Sequence, residues 1–430
     1  MLSHQRIVLV LGDIVSLIVS FCAMAVIRFD ISSQGDRIWQ QMGLFGVLFA
    51  VWLIVFFIFD LYTPQRINPN PRNIGLMFAS MAVNVLLGVL LFYVVPNTGI
   101  SPKTNLAILA ICTLLSLVIW RRIFYLIFTK HIVRKIILVG KSPLIANLAT
   151  ELARHRHVGV VVGVWDVVPE DTISTEVDLL IADAVNPEAL LALSRKLNTQ
   201  TISLVEAYET ILAKIPVELL TPERALQLMT DRSTPASRAI YRILEIIGAS
   251  LVLIATSPFL LITGIAKWIE DGGPVFIKQR RVGKDGEIFS IYKLRSMKAL
   301  APDGSAETGG VQWAQQKDPR ITPIGHILRT THIDEIPQMY NIIKGDLAVI
   351  GPRAERPEFV EQLEQQIPYY YLRHTSKPGF TGWAQIKFRY ARSIEDSKEK
   401  FEYDLYYLKN KGVLLDIGII LKTLQIMFTH

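Results

Sequence analysis

The chain of 430 residues is 51% hydrophobic, and its 45 Lys and Arg against 38 Asp and Glu give a net charge of +7. This length exceeds one ordinary hydrophobic core and predicts about two to three structural units. Because the basic residues flank apolar segments, lipid headgroups or phosphorylated substrates account for the charge, and we assign no nucleic-acid role. Both cysteines, Cys22 and Cys112, lie within apolar segments, so the sequence supports neither a disulfide framework nor a cysteine metal site.

Four apolar segments fill the first 130 residues, at 7–27, 43–59, 74–95 and 106–126. As helices rising about 1.5 Å per residue, they are long enough to cross a hydrocarbon core of about 30 Å. We therefore predict a membrane α-helical bundle over residues 1–130.

The distribution of Lys and Arg around these segments predicts their orientation. Basic residues gather in the loop at 62–72 and in the run from Arg121 to Lys135, which includes Lys130. By the positive-inside rule these ends and the N-terminus face the cytoplasm. For Asp13, inside the first segment, we favour a helix-packing or interfacial role over a transport site.

Residues 131–232 change to short β-branched runs separated by helical patterns at 187–197 and 209–220. "RKIILVG", "VGVVVGVWDVV", "VDLLIADA" and "TISLVEA" are typical of buried parallel strands, which predicts an α/β Rossmann-like domain. "VGKSPLIA" keeps one glycine but lacks the G-x-G-x-x-G spacing that lets backbone approach a pyrophosphate. We therefore expect a degenerate domain, with a dinucleotide site as the alternative.

A fifth apolar stretch, residues 247–268, has Ser257 and Pro258 at its middle. Proline removes a backbone donor and collides with the preceding turn, so a kink is expected there. Lys and Arg flank the stretch on both sides, which marks one cytoplasmic face. We predict a re-entrant helix over about 240–268, broken at the Ser-Pro pair; a kinked spanning helix is the alternative.

The stretch "THIDEIPQMYNIIKGDLAVIGPR", residues 331–353, places Asp334 and Glu335 just before Pro337. Taken alone, the pattern indicates a helix start, with the Asp334 carboxylate capping free N–H groups and Glu335 at the positive end of the dipole. Such a position would also lower the pKa of the Asp334 carboxyl and help to bind phosphate. A structural and a catalytic interpretation of the pair are therefore both open at this point.

The motifs around that stretch resemble the bacterial sugar transferase family. "FIKQRRVGKDGEIFSIYKLRSM", the 331–353 stretch, "KPGFTGWAQI" and "FEYDLYYLKN" stand in the family's order within about residues 236–430. The apolar front end and Rossmann-like middle resemble its large monotopic form, the undecaprenyl-phosphate hexose-1-phosphate transferases. Residues 233–430 are then expected to be a mainly α catalytic domain that includes the re-entrant helix.

The resemblance implies transfer of a sugar phosphate from a UDP-sugar to undecaprenyl phosphate, with Mg²⁺ and release of UMP. The site would face the cytoplasm at the bacterial inner membrane. By the family match Asp334 is the nucleophile, which would form an acyl phosphate with the sugar phosphate. Glu335 is then a Mg²⁺ ligand or a base, and Asp404 in "YDLYY" matches a third acidic position that would assist as a metal ligand or substrate contact.

A diphosphate substrate requires positive charge at the site. Arg353 follows a Gly-Pro turn and can present a planar fork to the diphosphate. Further candidates are Arg280, Arg281, Lys293 and Arg295, for each of which a plain contact with a lipid headgroup is the alternative.

Departures from the family pattern leave parts of the function open. Ala354 replaces the proline that often follows Arg353, and "IKFRYARS" at 386–393 replaces the usual sequence, which weakens any choice of sugar and favours the exopolysaccharide branch. The polar segment 301–318 has the composition of a mobile loop or lid. A polytopic transporter and a non-catalytic membrane scaffold are the competing function classes, and the oligomeric state, homo-oligomer included, stays open.

Overall fold

The computed structural model describes residues 2–28, 42–62, 71–94, 102–129, 134–154, 159–166, 177–183, 195, 199–230, 234–298, 318–388 and 393–428. The chain divides into two compact units, Met1–Leu204 and Val205–His430, each described here by itself. Several predicted features lie wholly or largely outside the described residues: the loop at 62–72, Lys130, the helix at 187–197 and the segment 301–318.

Unit one begins with four apolar helices: α1 (Leu2–Arg28), α2 (Met42–Ile58), α3 (Pro71–Val94) and α4 (Pro102–Phe124). Their positions agree with the four predicted apolar segments. Helices α1, α3 and α4 are long and apolar enough to cross a membrane, whereas α2 is a shorter apolar helix of 17 residues. Trp52 and Phe56 fill the interior of the bundle, and Leu86 and Leu90 are exposed on its outside. Apolar side chains both inside and outside suit a protein that has lipid as its solvent.

A stripe of small residues lets α1 approach α4 closely. Gly12, Ser16 and Ser20 recur every four residues, and the Ser20 hydroxyl lies 3.0 Å from the Ser116 hydroxyl. The Trp120 indole donates to a backbone carbonyl of α1 at 3.2 Å and lies against Gly12, where an added Cβ would come within 1.9 Å of the ring. Small residues at such spacing are typical of tightly packed membrane helices.

We expect Gly12→Ala to lower the midpoint of thermal unfolding, because the new methyl displaces a ring whose N–H is already hydrogen-bonded. Overpacking of this kind costs about 1–3 kcal/mol. Gly46→Ala on α2 is the matched control, since an added Cβ there meets nothing within 4 Å, and it should be neutral or slightly stabilising. Circular dichroism of the detergent-purified variants makes the measurement, and equal midpoints would contradict the close contact between α1 and α4.

Asp13 has the packing role that its position predicts. Its Oδ2 lies 2.6 Å from Nη2 of Arg121, and both side chains are buried. Arg121 also donates to the carbonyl of Leu61 at 2.9 Å, and its guanidinium lies 5.3 Å from the centre of the Tyr62 ring. The paired charges neutralise each other where apolar surroundings would penalise either alone. The pair therefore ties α1, α4 and the chain after α2 together.

A four-stranded parallel sheet completes unit one. Its strands are β1 (Lys135–Val139), β2 (Val160–Trp165), β3 (Leu179–Ala182) and β4 (Gln200–Ser203), in the order β2-β1-β3-β4. Helix α5 (Pro143–Arg154) follows β1. The turn between them needs Gly140, whose φ is 139° and whose added Cβ would lie 2.7 Å from Asp183.

The strands begin where the sequence predicts them, but the predicted strand at 201–207 is wrong after Ser203, because Leu204–Ala207 is helical. The prediction of burial is wrong for β2, whose side chains are exposed or half-buried at the edge of the described sheet. The Rossmann-like assignment stays a prediction.

The end of the predicted middle domain packs within unit two. Its elements are α6 (Leu204–Ala207), a π-helical turn (Tyr208–Leu212), a 3₁₀ turn (Val217–Leu219) and α7 (Pro222–Met229). The single helix predicted at 209–220 is interrupted because Ala213 adopts a left-handed φ of 55° and Pro216 lacks a backbone donor.

The longest helix of unit two, α8 (Pro235–Asp271), is continuous through the Ser-Pro pair, at which the sequence predicted a break. Pro258 cannot donate to the carbonyl of Ile254, one helical turn earlier. The Ser257 hydroxyl donates to that carbonyl instead, at 2.8 Å. The serine therefore replaces the hydrogen bond that the proline removes.

The rest of unit two combines two small sheets with short helices. Strands β5 (Phe276–Val282) and β6 (Ile288–Leu294) form an antiparallel hairpin, and β7 (Ala348–Ile350) pairs in parallel with β8 (Gly379–Thr381). The helices are α9 (Pro323–Thr330), α10 (Gln338–Lys344), α11 (Pro357–Gln366), α12 (Trp383–Lys387), α13 (Ile394–Asn410) and α14 (Val413–Phe428).

Candidate active site

Asp334 and Glu335 lie on a short 3₁₀ turn, Ile333–Glu335, that directly precedes α10. His332 enters the turn in a left-handed conformation with φ 56°, and neither the turn nor α10 has a side-chain cap. This corrects the expectation that the Asp334 carboxylate caps a helix. The Asp334 side chain is buried, so it is held inside the fold and not at a solvated helix start.

Glu335 bridges two cations from different elements. Its Oε1 accepts a hydrogen bond from Lys293 Nζ on β6 at 3.1 Å and another from Arg353 Nη2 at 3.2 Å. Lys293 and Glu335 are largely buried, whereas 38% of the Arg353 side chain is exposed. The structure thus brings together three of the predicted site residues and leaves the guanidinium accessible to a ligand.

The two adjacent carboxyls have opposite pKa shifts. Burial raises the pKa of Asp334 to about 6, and Glu335 adds to the rise while Lys293 opposes it. For Glu335 burial alone would raise the pKa, but Lys293 and Arg353 hold it well below its usual range. The shift at Asp334 is opposite to the one expected from a helix start. Neighbouring carboxyls with separated pKa values are typical of sites where the two have different roles.

The cations around the pair repel one another. Burial lowers the pKa of Lys293, and Arg353 and Arg281 lower it further against the effect of Glu335. Burial likewise lowers the pKa of Arg281 to about 10, with Arg353 and Arg356 contributing. A multiply charged anion would relieve this repulsion. The arrangement is therefore suited to a diphosphate.

Asp404 joins this region through Arg373. Asp404, buried on α13, accepts from Arg373 Nη2 at 3.0 Å, and the same nitrogen donates to the carbonyl of Arg353 at 3.0 Å. Arg373 also donates to the Tyr370 hydroxyl. Burial raises the pKa of Asp404 to about 6, with Arg373 and Lys400 opposing it. Asp404 thus supports the backbone that carries Arg353.

Two predicted phosphate contacts lie elsewhere. Arg280 is exposed on the face of β5 opposite to Arg281, because alternate residues of a strand point to opposite sides. Arg295 is fully buried, and it donates to the Asp271 carboxylate at 2.8 Å and to the carbonyl of Pro274 at 2.6 Å. Its guanidinium holds the end of α8 against the end of β6, so it is not available at the acidic pair.

Two polar side chains hold α10 in place beside the cations. The fully buried Asn341 donates to the carbonyl of Ser290 at 2.7 Å and accepts from the N–H of Tyr292 at 3.0 Å. Its amide thereby pairs with the edge of β6 as a neighbouring strand would. Arg242 of α8 donates to the last carbonyls of α10 at 2.6 and 2.7 Å. Lys293 on β6 is therefore kept in register with the turn that carries Glu335.

The residues that build this site lie in the part of the chain that matches a known protein family. A family model described as bacterial sugar transferase matches residues 236–430. The chain is also 36% identical over 189 residues to the exopolysaccharide production protein PSS of Rhizobium leguminosarum bv. phaseoli, covering 42% of this chain and 92% of that protein. The chain belongs to the bacterial sugar transferase family.

Two longer relatives carry names that state a reaction. The chain is 38% identical over 221 residues to the UDP-N-acetylgalactosamine-undecaprenyl-phosphate N-acetylgalactosaminephosphotransferase of Aeromonas hydrophila, covering 51% of this chain and 50% of that protein. It is 38% identical over 195 residues to the UDP-glucose:undecaprenyl-phosphate glucose-1-phosphate transferase of Escherichia coli K12, covering 44% of this chain and 41% of that protein. The alignments span half or less of the length of these two sugar transferases.

Two carboxylates of this sugar transferase site, Glu335 and Asp404, were predicted to bind Mg²⁺, and only one of them is suited to do so. Among the residues that the structure describes, no three His, Cys, Asp or Glu side chains group so as to hold a metal ion. Mg²⁺ needs only one or two protein carboxylates when substrate phosphates and waters supply the other oxygens. Glu335 fits because its low pKa keeps it ionised. Asp404 does not fit, because only 2% of its side chain is exposed, against 16% for Glu335, and burial raises its pKa to about 6.

Three charged residues of this transferase site were not predicted from the sequence: Arg373, Lys400 and Glu355. Burial lowers the pKa of Lys400, and Arg353 and Arg373 lower it further, whereas Glu355 opposes that change. Spacing in the sequence could have indicated two of them as site residues. Lys400 lies one helical turn before Asp404, and Arg373 stands just before the "KPGFTGW" motif.

Proposed function

We propose that this protein transfers a sugar 1-phosphate from a UDP-sugar to undecaprenyl phosphate and releases UMP. The observation that carries the proposal is the buried Asp334 beside a Glu335 that is held by Lys293 and Arg353. The reactions named for the relatives from Aeromonas hydrophila and Escherichia coli support the same class of transfer. The transfer would be the first membrane step of exopolysaccharide or O-antigen assembly.

In the first step, a carboxylate oxygen of Asp334 attacks the sugar-bearing phosphorus of the UDP-sugar. A new O–P bond forms, and the bond from that phosphorus to the bridging oxygen breaks, so that UMP leaves with the electron pair. The sugar phosphate remains on Asp334 as an acyl phosphate. Lys293 and Arg353 stabilise charge on the phosphoryl oxygens and on the departing UMP.

In the second step, a phosphate oxygen of undecaprenyl phosphate attacks the same phosphorus. The bond to Asp334 breaks, which restores the carboxylate and yields an undecaprenyl diphosphate sugar. Both steps bring an anion toward an anion, so the surplus of positive charge around Arg353 serves both. Mg²⁺, held by Glu335 and the substrate diphosphate, would neutralise further phosphate charge and orient the oxygens.

We also propose that α8 enters and leaves the bilayer on the same side, which requires the continuous helix to bend at Pro258, where a backbone hydrogen bond is missing. Near its start Glu245 accepts from the N–H of Val349 at 3.1 Å, and near its end Lys267 donates to the Thr322 hydroxyl at 2.8 Å. Both partners belong to one compact unit. A helix that crossed the membrane once would carry its two ends to opposite sides. The exposed apolar side chains between the two contacts, such as Phe259, would then lie in lipid.

The remaining parts of the proposal concern location. The chain would lie in the bacterial inner membrane with the transferase site at the cytoplasmic face, where UDP-sugars are made. The parallel sheet of unit one would be the Rossmann-like part of the large form of this family. Glycosylation or protease mapping of the loops from each side of the membrane tests the orientation.

UMP release from a panel of UDP-sugars tests the reaction. Purified full-length protein is incubated with Mg²⁺ and undecaprenyl phosphate, and UMP is quantified. Release with one or a few sugars is expected, and it would identify the donor. If no UDP-sugar yields UMP, the transferase proposal fails and the scaffold interpretation replaces it.

The rate of the first step should depend on pH through the Asp334 carboxyl. The pKa of this acid is raised to about 6, and only the ionised form attacks. Activity is therefore expected to be full above that pH and to fall as the pH drops through about 6. Lys293 lowers the Asp334 pKa, so Lys293→Met should move the midpoint of kcat/KM upward. A flat profile between pH 5 and 8, or a midpoint unmoved by Lys293→Met, would contradict the assignment.

A further inference from the structure

Residues 208–229, which follow the last strand of the parallel sheet, pack along α13 of the transferase domain; we call them the connector. Ile215, Val217 and Leu220 of the connector share one buried core with Phe401 and Leu405 of α13. The main chain is also attached, because the N–H of Ile215 donates to the carbonyl of Glu402 at 3.0 Å. The connector therefore forms part of the transferase fold, although the sequence assigned it to the preceding domain.

Lys214 is the charged centre of this contact. Its Nζ lies 3.1 Å from Glu399 Oε1 and 3.4 Å from Glu402 Oε2, and the Lys214 and Glu402 side chains are more than nine-tenths buried. Glu402 in turn accepts from the N–H of Val217 at 3.3 Å. Burial alone lowers the pKa of Lys214, but Glu402 and Glu399 outweigh it, so the ammonium stays charged. Burial raises the pKa of Glu402 to about 7, with Lys214 opposing the rise. The charged Lys214, through its hydrogen bond to Glu399 and its contact with Glu402, fixes the connector on α13 in one position.

The connector and the active site contact opposite faces of α13. Consecutive helical residues are about 100° apart, so Glu402 lies about 160° around the helix from both Lys400 and Asp404. Glu402 faces Lys214, whereas Asp404 accepts from Arg373, which also donates to the carbonyl of Arg353. A displacement of α13 at Glu402 would therefore move Asp404 as well.

A second path joins the connector to the same network. Tyr370, whose hydroxyl accepts from Arg373, belongs to the core that contains Ile215 and Val217. Its ring lies 5.1 Å from that of Phe401. The indole N–H of Trp383, from the "PGFTGW" motif, donates to the carbonyl of Ala213 in the connector at 2.9 Å. Backbone, core and ion pair thus attach the connector to the elements that support Arg353.

We propose that Lys214 is a positioning residue of the transferase, which acts through Glu402 and α13 to hold the Asp404–Arg373–Arg353 network in its reactive arrangement. The inference rests on the proposed function for its kinetic consequence. It assigns to the connector a role in the reaction that the family match, which begins after it at residue 236, does not cover.

The test compares three full-length variants. Lys214→Met keeps the aliphatic stem and removes the charge, and Lys214→Arg keeps the charge. Lys398→Met is the matched control, because it breaks an ion pair with Glu218 across the same contact in which both side chains are well exposed. We measure kcat and KM for UMP release, together with hydrogen–deuterium exchange at the backbone amides of residues 399–406.

We expect Lys214→Met to lower kcat by between about tenfold and a hundredfold, as small misplacements of catalytic groups do. Exchange at 399–406 should become faster in that variant, while Lys214→Arg and Lys398→Met should resemble wild type in both measurements. Unchanged kcat in Lys214→Met would overturn the proposal, even with faster exchange, because the contact would then be structural only. If wild type itself releases no UMP, the proposed function has failed, and the exchange data still decide whether Lys214 positions α13.

Discussion

Asp334→Asn is expected to reduce UMP release by about 10³-fold or more, because an amide cannot form the acyl phosphate on which both steps depend. The substitution conserves size and leaves the bridge of Glu335 to Lys293 and Arg353 in place, so the fold should persist. Asp285→Asn is the control. Asp285 is exposed in the β5–β6 turn with φ 55°, a conformation that asparagine also tolerates. The activity of the Asp285→Asn protein should therefore equal that of wild type.

The covalent intermediate offers a direct readout for the same residue. Without undecaprenyl phosphate, wild type should accumulate a species heavier by one sugar phosphate, which mass spectrometry places on the peptide that contains Asp334. Undecaprenyl phosphate should then discharge the adduct. Full activity in Asp334→Asn, or an adduct on another residue, would remove Asp334 as the nucleophile.

Arg373→Met is expected to have the largest effect on stability. Arg373 is buried, pairs with Asp404 at 3.0 Å and donates to the carbonyl of Arg353. Removing one partner of a buried ion pair leaves the other charge uncompensated and costs about 3–5 kcal/mol. For a domain of this size, that corresponds to a fall of roughly 6–20 °C in the unfolding midpoint. Activity should fall as well, because the backbone that presents Arg353 loses its support.

Two further variants separate the ion pair from general damage. Arg154→Met removes an exposed partner of Glu151 on α5 and should change the midpoint by no more than about 2 °C, since such pairs contribute about 0.3–0.5 kcal/mol. Adding Asp404→Asn to Arg373→Met should recover part of the lost stability, because the stranded carboxylate is then neutral. An Arg373→Met protein as stable as wild type would contradict the role assigned to the pair.

Local patterns in the sequence were sufficient for some elements and insufficient for others. The four apolar helices were predicted at their observed positions, because length and hydrophobicity are local properties. The predicted grouping of Glu335, Lys293 and Arg353 likewise appears in the structure, although Lys293 lies 42 residues before Glu335. The resemblance of several motifs to one family indicated that grouping, which no single local pattern does. The catalytic roles of these residues stay predictions until the variants are measured.

The remaining site residues depend on partners that are distant in sequence. Arg295 lies two residues after Lys293, yet its guanidinium turns to Asp271 because the end of α8 is brought there by tertiary packing. Arg280 and Arg281 are adjacent, and Arg281 is the more buried of the two because its face of β5 lies against residues 354–355, where it donates to the carbonyl of Ala354 at 3.2 Å. Asp334 was expected to be a cap with a lowered pKa, but burial, which a local pattern does not reveal, reverses the shift.

Helix α8 is attached to the same domain near both of its ends. A helix held at two points cannot slide along the membrane normal without breaking one of its attachments. The depth of the acidic pair relative to the lipid phosphates would then be set by the chain and not by the local thickness of the bilayer. Under the proposed function, the water-soluble UDP-sugar and the lipid-embedded undecaprenyl phosphate would then reach the same carboxylate at a constant depth.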